Sequence, residues 1–308
     1  MLNVARRLRL RSTPMTWFVI LTLITIGLAL GLPPDPHAVR QLHTSETAYR
    51  IAVAALLIPY VLIWYTSFYA FAKLREYSKP LRGTKDGAAF HKIAVGMGTL
   101  AFSLIIPTTI SLILNSIAGH HPSFKTTAII IDNYLSLFPG LISFLLLYNG
   151  ACALVSTIRS TTKVRKLDLR WHAPWFLLLS IVFSHLTIQN QYHRNPYHLA
   201  EWLLIATFIV PYLYGWMVGL LSAHMFRAYS RTVPGLLYRQ ATGRFAIGVA
   251  IVIAGSIAVQ FLNIALAQRS SNSLGSVLLL DYGLLIIVTV GLALMALGTK
   301  KLQRIEEI

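Results

Sequence analysis

The chain has few charged residues for its size. Only 12% of its 308 residues are Asp, Glu, Lys or Arg, whereas 56% are hydrophobic. A soluble protein of this length carries about 25% charged residues. With so little charge, most of the chain is expected to avoid water, and the expected solvent is a lipid bilayer.

Cysteine and catalytic motifs are also scarce. The single cysteine, Cys152, lies in a hydrophobic run, which excludes an intrachain disulfide and favours a small buried side chain. The sequence contains no phosphate-binding loop, zinc-protease motif, serine nucleophile elbow or CxxC pair. We therefore expect no cofactor, no metal site and no soluble catalytic domain. An intramembrane enzyme that uses two aspartates stays open as an alternative.

Long hydrophobic runs dominate the chain, and eight of them have the length and composition of transmembrane helices. They cover residues 15–32, 50–72, 93–117, 127–156, 173–189, 200–226, 245–267 and 277–298. The basic start of the first run also fits a signal peptide, but no small-x-small cleavage site follows it. The sequence thus predicts an all-α integral membrane protein with eight transmembrane helices.

The formal net charge of +17 comes from basic residues near the ends of these helices. With both termini in the cytoplasm, 22 of the 27 Lys and Arg residues fall on the cytoplasmic side. The positive-inside rule predicts this distribution, so nucleic-acid binding is not needed to explain the charge. We expect a multi-pass protein of the cytoplasmic (plasma) membrane whose basic residues contact anionic inner-leaflet lipids.

Two stretches of the chain, 152 residues apart, are nearly the same. The first, "LREYSKPLRG", begins at Leu74, and the second, "FRAYSRTVPG", begins at Phe226. Around them, ten of the 41 positions from Ile58 to Gly98 are identical to the positions 152 residues further on, with no gap. The chain is therefore predicted to contain one four-helix unit twice.

The predicted boundaries are 1–158 for the first repeat, 159–299 for the second and 300–308 for a cytoplasmic helical tail. Because four helices are an even number, both repeats have the same orientation. A pseudo-twofold axis along the membrane normal is then expected between them.

The duplicated stretches close the second and sixth predicted helices. Arg75 and Arg227 are expected to reach lipid phosphates, while Tyr77 and Tyr229 are expected to bury their rings and keep their hydroxyls wet. The glycines that end the stretches suit a turn. The pattern fits duplicated membrane anchoring, or a symmetric docking surface for a cytoplasmic partner.

Polar residues gather in the outer halves of several predicted helices. Asp132 and Asp281 hold matching places in the fourth and eighth helices, and a carboxylate at the bilayer centre costs about 2.5–3.5 kcal/mol. Both are expected to face the protein interior or water. Other candidates at similar depth are Asn133, Tyr282, Gln260, Asn263, Thr108, Ser111, Asn115 and His185.

These residues could line an outward-facing cavity between the repeats that binds a small ligand or ion. Alternatively, they hold helices together by hydrogen bonds, at about 0.6 kcal/mol per contact. In that case the aspartates could pair with Arg50 near the outer end of the second helix.

Several prolines lie inside the predicted helices, and three of them predict a bend or a break. Pro59 and Pro211 occupy equivalent positions and could form hinges or static bends. A Pro-Gly pair at Pro139 predicts a break in the fourth helix, and no equivalent pair occurs in the eighth.

The chain ends in "LGTKKLQRIEEI", where Leu302, Ile305 and Ile308 form one apolar stripe. A multi-pass bundle whose last helix runs into an amphipathic stub resembles the membrane sensor region of bacterial sensor histidine kinases. The resemblance implies a sensor whose last helix carries a signal to a cytoplasmic partner or to a second copy through the tail.

Two further functions stay open on the sequence alone. A channel or transporter could move a small solute or cation along the axis between the repeats, with the aspartates as polar steps. A scaffold subunit of a membrane complex needs no site at all. A transporter requires polar residues that continue inward past Pro59 and Pro211, where the sequence is mostly apolar.

Overall fold

The computed structural model describes residues 16, 19–31, 45–118, 122–158, 167–168, 170–179, 181–182, 201–267 and 274–303. Within these ranges, it leaves out the side chains of 53, 56, 108, 111–112, 114–118, 122–136, 201–209, 211, 259–267, 274–281, 284 and 303.

The described part of the chain folds into α-helices, and it contains no β-strand. The helices are α1 (Val19–Gly31), α2 (Glu46–Ser78), α3 (Lys85–Ala118), α4 (Pro122–Ile158), α5 (170–179), α6 (Glu201–Thr232), α7 (Leu236–Ala267) and α8 (Leu274–Gln303). Each overlaps one of the predicted hydrophobic runs. We refer to residues 46–158 as the first half and to residues 201–303 as the second half.

Within the described ranges, five helical segments are long and apolar enough to cross a membrane. They are Glu46–Ser78, Lys85–Pro107, Leu137–Ile158, Leu236–Ala258 and Leu285–Leu302. A helix rises about 1.5 Å per residue, so about 20 residues cross the hydrocarbon core. The prediction of an all-α protein of the membrane class is therefore confirmed.

Neighbouring helices pack in the same order in both halves. In the first half α3 packs on α2 and α4, and in the second half α7 packs on α6 and α8. Two further contacts join the halves, α2 against α8 and α4 against α6. One hydrophobic core runs through all of these interfaces and contains residues of both halves.

Glycines let the central helices approach closely. A Cβ atom on Gly150 of α4 would lie 3.1 Å from the Ala89 carbonyl oxygen of α3. A Cβ atom on Gly298 of α8 would lie 2.8 Å from the Ala241 carbonyl oxygen of α7. Small residues at such crossings allow the backbone contact on which helix association in membranes depends.

The shorter helices α1 and α5 pack on the two halves through polar contacts. Thr25 of α1 and Thr109 of α3 share a hydrogen bond of 2.8 Å between their buried hydroxyls. On α5, the His172 Nδ1 atom lies 2.5 Å from the Tyr214 hydroxyl of α6. The Asn149 side chain also holds the segment before α5, because it pairs with both the N–H and the carbonyl of Leu167.

Both duplicated stretches end in a glycine with left-handed backbone. The φ angle is +91° at Gly83 and +95° at Gly235. Residues with a Cβ atom rarely adopt this conformation, so glycine suits the turns that lead into α3 and α7. The structure confirms the predicted turns.

Candidate functional site

The outer polar residues predicted to bind a ligand lie on four helices of the bundle. Their backbones belong to α3 (Thr108, Ser111, Asn115), α4 (Asp132, Asn133), α7 (Gln260, Asn263) and α8 (Asp281, Tyr282). Tyr282 is half-buried, and the other eight side chains lie outside the described part. His185 also lies outside the described residues. The cavity between them stays a prediction.

Arg50 already has a partner close by. Its guanidinium lies 2.8 Å from the Glu46 carboxylate, one helical turn away on α2. Both side chains are exposed. This pair matches the (i, i+4) spacing that favours opposite charges on a helix. Pairing of Arg50 with Asp132 or Asp281 stays a prediction, because the side chains of both aspartates lie outside the described part.

The prolines lie inside continuous helices. Pro59 is buried within α2, and α6 runs through Pro211, whose side chain is not described. The predicted break at Pro139 is wrong, because α4 runs from Pro122 to Ile158 with Pro139 inside it. Neighbouring helices can satisfy the backbone carbonyl that a proline leaves free, so a proline need not end a membrane helix.

Four side chains form a polar group between the halves, which we call the tyrosine cluster. It contains Tyr77 at the end of α2, Asp86 at the start of α3, Tyr229 near the end of α6 and Tyr238 at the start of α7. The rings of Tyr77 and Tyr229 are almost fully buried, with 2% and 4% of their surface exposed. The prediction of buried rings is confirmed.

The Tyr77 hydroxyl is not left to water. It donates a hydrogen bond of 3.1 Å to the Tyr238 hydroxyl, which belongs to the other half. Tyr77 also stacks edge-on against Phe90 of α3, with 4.9 Å between the ring centroids. The prediction of a wet hydroxyl is therefore wrong for Tyr77.

Tyr229 and Asp86 are the other two members of the cluster, and they interact electrostatically. Burial raises the pKa of the Tyr229 hydroxyl, which lies beyond the predicted end of its transmembrane segment, and the nearby Asp86 and Tyr238 raise it further. This tyrosine therefore stays neutral near pH 7. One carboxylate oxygen of Asp86, Oδ1, is buried, and no residue in the described part of the chain donates a hydrogen bond to it. A buried oxygen of this kind favours a neighbouring hydroxyl that can turn to donate to it.

Sequence analysis missed Tyr238 and Asp86. A signal was available, since these two residues are 152 positions apart, as are Tyr77 and Tyr229. The observed hydrogen bond joins Tyr77 to Tyr238, so it links a residue of one pair to a residue of the other.

Large apolar side chains fill the hydrophobic core that the two halves share. Trp64 and Met97 have no exposed surface, and neither does Leu292 on α8. Trp216 is 7% exposed, and its indole N–H donates a hydrogen bond of 3.0 Å to the Ser256 hydroxyl. Among the described residues, the side chains that fill this region are mostly apolar; the buried Nε1 atom of Trp64 is a polar atom for which they supply no hydrogen-bond partner.

The end of α8 packs against the bundle. The Leu302 side chain is fully buried in the core, and the Lys301 ammonium donates a hydrogen bond to the Gln240 side chain of α7. The first residues of the predicted tail thus belong to the second half. Ile305 and Ile308 lie outside the described residues.

Comparison with protein-family models, with curated proteins and with solved structures gives no match for this chain. The resemblance to the sensor region of histidine kinases accordingly stays a prediction.

Proposed function

We propose that this protein is a multi-pass membrane sensor, in which a small ligand or ion binds an outward-facing polar cavity between the halves. Asp132 and Asp281 would contact the ligand. Helix α8 would carry the change inward, because it runs without interruption from the segment that holds Asp281 to the tail at Gln303. The tail would engage a cytoplasmic partner or a second copy.

The observation that carries this proposal is the dry contact between the halves. Trp64, Met97 and Leu292 pack without exposed surface in one core that both halves share. A pathway for a cation needs polar groups or water along its length. A packed interface can instead shift between two arrangements as a whole, as sensing requires.

The tyrosine cluster would report that shift. Its hydrogen bond of 3.1 Å joins Tyr77, at the end of α2 in the first half, to Tyr238, at the start of α7 in the second half. A small rotation of the halves would therefore break the Tyr77–Tyr238 hydrogen bond. The interface would then exist in two discrete states.

We also propose that the halves are a tandem repeat around a pseudo-twofold axis along the membrane normal, with eight membrane spans and both termini in the cytoplasm. Three equivalences of geometry support the repeat. The Tyr60–Trp64 and Tyr212–Trp216 ring pairs both have centroids 6.0 Å apart. Gly83 and Gly235 share their left-handed backbone. If the two halves are exchanged, the contact of α2 with α8 corresponds to the contact of α6 with α4.

The glycine contacts give the register of the repeat in α4 and α8. Ala89 and Ala241, 152 residues apart, meet Gly150 and Gly298, which are 148 residues apart. Asp132 and Asp281 are 149 residues apart. The two acids would occupy equivalent positions only if the register shifts by one residue between them and the glycines, and Pro139 is a candidate for such a shift.

The first test is ion flux. Purified protein in liposomes is assayed with H⁺, Na⁺, K⁺ and Ca²⁺, and wild type is compared with the double variant Asp132→Asn/Asp281→Asn. We expect no protein-dependent flux in either. Flux in wild type that the double variant abolishes would overturn the sensor and establish a transport pathway.

The second test measures the motion directly. Spin labels are placed at Lys79 and Lys300, which are exposed and belong to different halves, in a Cys152→Ala background. The distance between them is expected to change with one of the same cations or with pH, and to stop changing in the double aspartate variant. A control pair at Lys79 and Lys92, within the first half, should stay constant. A Lys79–Lys300 distance that no condition changes would contradict ion or proton sensing.

A further inference from the structure

The first half carries a groove that no part of the proposed sensing mechanism uses. It is a cleft of about 600 Å³ between α2, α3 and α4. Its wall includes Phe71, Arg75, His91, Gly98, Phe102 and Pro139. We call it the α2–α4 groove.

The groove is apolar along its length and basic at one end. Phe71, Phe102 and Pro139 form apolar walls, whereas Arg75 and His91 line the end nearest the α2–α3 turn. Thr99 in the middle of the groove donates its hydroxyl to the Val95 carbonyl, at 2.9 Å. The Thr99 hydroxyl proton therefore already has an acceptor within the protein.

The basic end has no carboxylate to neutralise it. Arg75 is exposed, and the described part of the chain places no carboxylate within salt-bridge distance of its guanidinium. The neighbouring Lys73 pairs with Glu76 at 3.1 Å. Arg75 and the exposed His91 are thus both free to approach an anion.

The size and position of the groove suit one lipid chain. From His91 to Phe102 the axis of α3 rises about 16 Å, at about 1.5 Å per residue. Half of a hydrocarbon core is about 15 Å thick. The outer edge is open, since Val95 and Phe102 keep 38% and 48% of their surface exposed. An acyl chain could therefore enter sideways from the bilayer.

A specific sequence pattern makes this space. A Cβ atom on Gly98 would lie 2.9 Å from the Phe71 ring, so the ring occupies the notch that the glycine leaves. Phe68 holds the same ring edge-on, with the centroids 6.0 Å apart. Further along the groove, Pro139 prevents α4 from donating one backbone hydrogen bond, and prolines commonly bend a helix.

The second half lacks these residues. At the positions 152 residues further on, Arg227 replaces Arg75 without loss of charge, but Ala223 replaces Phe71 and Gly243 replaces His91. Ala254 stands in place of Phe102. The second half thus keeps the cation and loses both the aromatic walls and the histidine.

We infer that the α2–α4 groove binds one anionic phospholipid of the inner leaflet. Its phosphate would lie between Arg75 and His91, and one acyl chain would follow Phe71, Gly98 and Phe102 toward Pro139. This inference rests on the proposed membrane orientation, which places the α2–α3 turn at the cytoplasmic surface. It adds a lipid ligand that belongs to one half only.

Native mass spectrometry of the full chain in detergent can test it, with palmitoyl-oleoyl phosphatidylglycerol and palmitoyl-oleoyl phosphatidylcholine as probes. We expect one phosphatidylglycerol to be retained more strongly than phosphatidylcholine. One basic side chain near anionic lipid contributes about 1 kcal/mol, so Arg75→Gln should reduce its retention about fivefold. The matched variant Arg227→Gln should change it less than about twofold.

A second pair of variants tests the acyl-chain path. Thr99→Trp places a large ring in the groove and should abolish retention. Ile251→Trp, at the equivalent half-buried position of α7, should leave retention intact. Arg75→Gln lies on an exposed side chain, so it keeps the test valid even where Thr99→Trp fails to fold.

Three results would overturn the inference. Equal retention of the two lipids would show no preference for an anion, and equal losses in Arg75→Gln and Arg227→Gln would show only annular lipid. Displacement of the lipid by sn-glycerol 3-phosphate alone would show a phosphate site without an acyl-chain path. None of these readouts depends on flux or on label distances, so failure here is separable from failure of the proposed sensor.

Discussion

The two halves of the molecule share their backbone contacts but fill them with different side chains. Gly96 of α3 and Gly248 of α7 both lie where their helix packs closely on a neighbouring helix, yet the surroundings of the two glycines differ. A Cβ atom on Gly96 would lie 3.1 Å from the Ser143 carbonyl oxygen, whereas one on Gly248 would lie 2.5 Å from the Gly291 carbonyl oxygen. The second half is thus packed more tightly at this crossing.

Positions that fix the backbone are shared by the two halves, whereas positions that could define a function differ between them. Residues that fix the backbone, such as Gly83 and Gly235, are the same in both halves. Residues that fill the space beside that backbone differ, as Phe71 and Ala223 do. The aromatic walls of the α2–α4 groove therefore depend on residues that the second half replaces, although both halves have the same helix order.

The largest expected effect distinguishes the two helix crossings. Gly248→Ala would force a methyl group against the backbone of Gly291, and overpacking of this kind costs about 3 kcal/mol at the upper end. Gly96→Ala has to displace its neighbours by only a few tenths of an ångström and should cost about 1 kcal/mol. Unfolding in SDS from dodecylmaltoside micelles, followed by far-UV circular dichroism, measures both free energies.

Gly243→Ala is the matched control for these variants. Nothing lies within 4 Å of a Cβ atom at Gly243, so an alanine there should stabilise its helix by about 0.5–1 kcal/mol. Equal destabilisation by Gly96→Ala and Gly248→Ala would contradict the tighter packing of the second half.

A smaller and equal effect is expected at the two turns. Alanine at Gly83 or at Gly235 would have to adopt a positive φ angle, which costs about 1–2 kcal/mol. Space does not distinguish the sites, because no atom comes closer than 3.6 Å to either added Cβ. Equal losses of unfolding free energy in the same assay would support the equivalence of the two turns. A loss at one turn only would contradict it.

Much of this fold follows from local features of the sequence. Hydrophobic runs predicted where the helices lie, since a long apolar run in a bilayer satisfies its backbone as a helix. Glycine after a basic helix end predicted the turns, because few other residues accept that backbone. Pro139 misled the prediction, because a proline weakens a helix locally but its effect in a bundle depends on neighbouring helices.

The tyrosine cluster depends on contacts that local sequence does not contain. Tyr77 and Tyr238 are 161 residues apart, and only the packing of the two halves brings their hydroxyls together. An alignment over 152 residues places Tyr77 on Tyr229 and Asp86 on Tyr238, but it does not show which of these four residues meet. The α2–α4 groove could not be predicted in this way, because it arises where the halves differ.

The smallest expected effect concerns the two buried tryptophans that the halves share. Trp216 donates its indole N–H to the Ser256 hydroxyl at 3.0 Å, whereas the buried Trp64 Nε1 has no hydrogen-bond partner among the described residues. Substitution by phenylalanine removes a similar volume at both sites, but only Trp216→Phe removes a hydrogen bond. Trp216→Phe should therefore cost about 1 kcal/mol more than Trp64→Phe. Far-UV circular dichroism in the SDS assay measures the difference without relying on tryptophan fluorescence.

A double-mutant cycle shows whether that difference comes from the hydrogen bond. Trp216→Phe and Ser256→Ala should couple by about 1 kcal/mol, because either substitution alone breaks the same bond. Trp64→Phe and Ser256→Ala should be additive within about 0.5 kcal/mol. Additivity in the first cycle would place the cost in lost packing around Trp216 instead. The two tryptophans would then differ in the packing around their rings and not in the free energy that a hydrogen bond contributes.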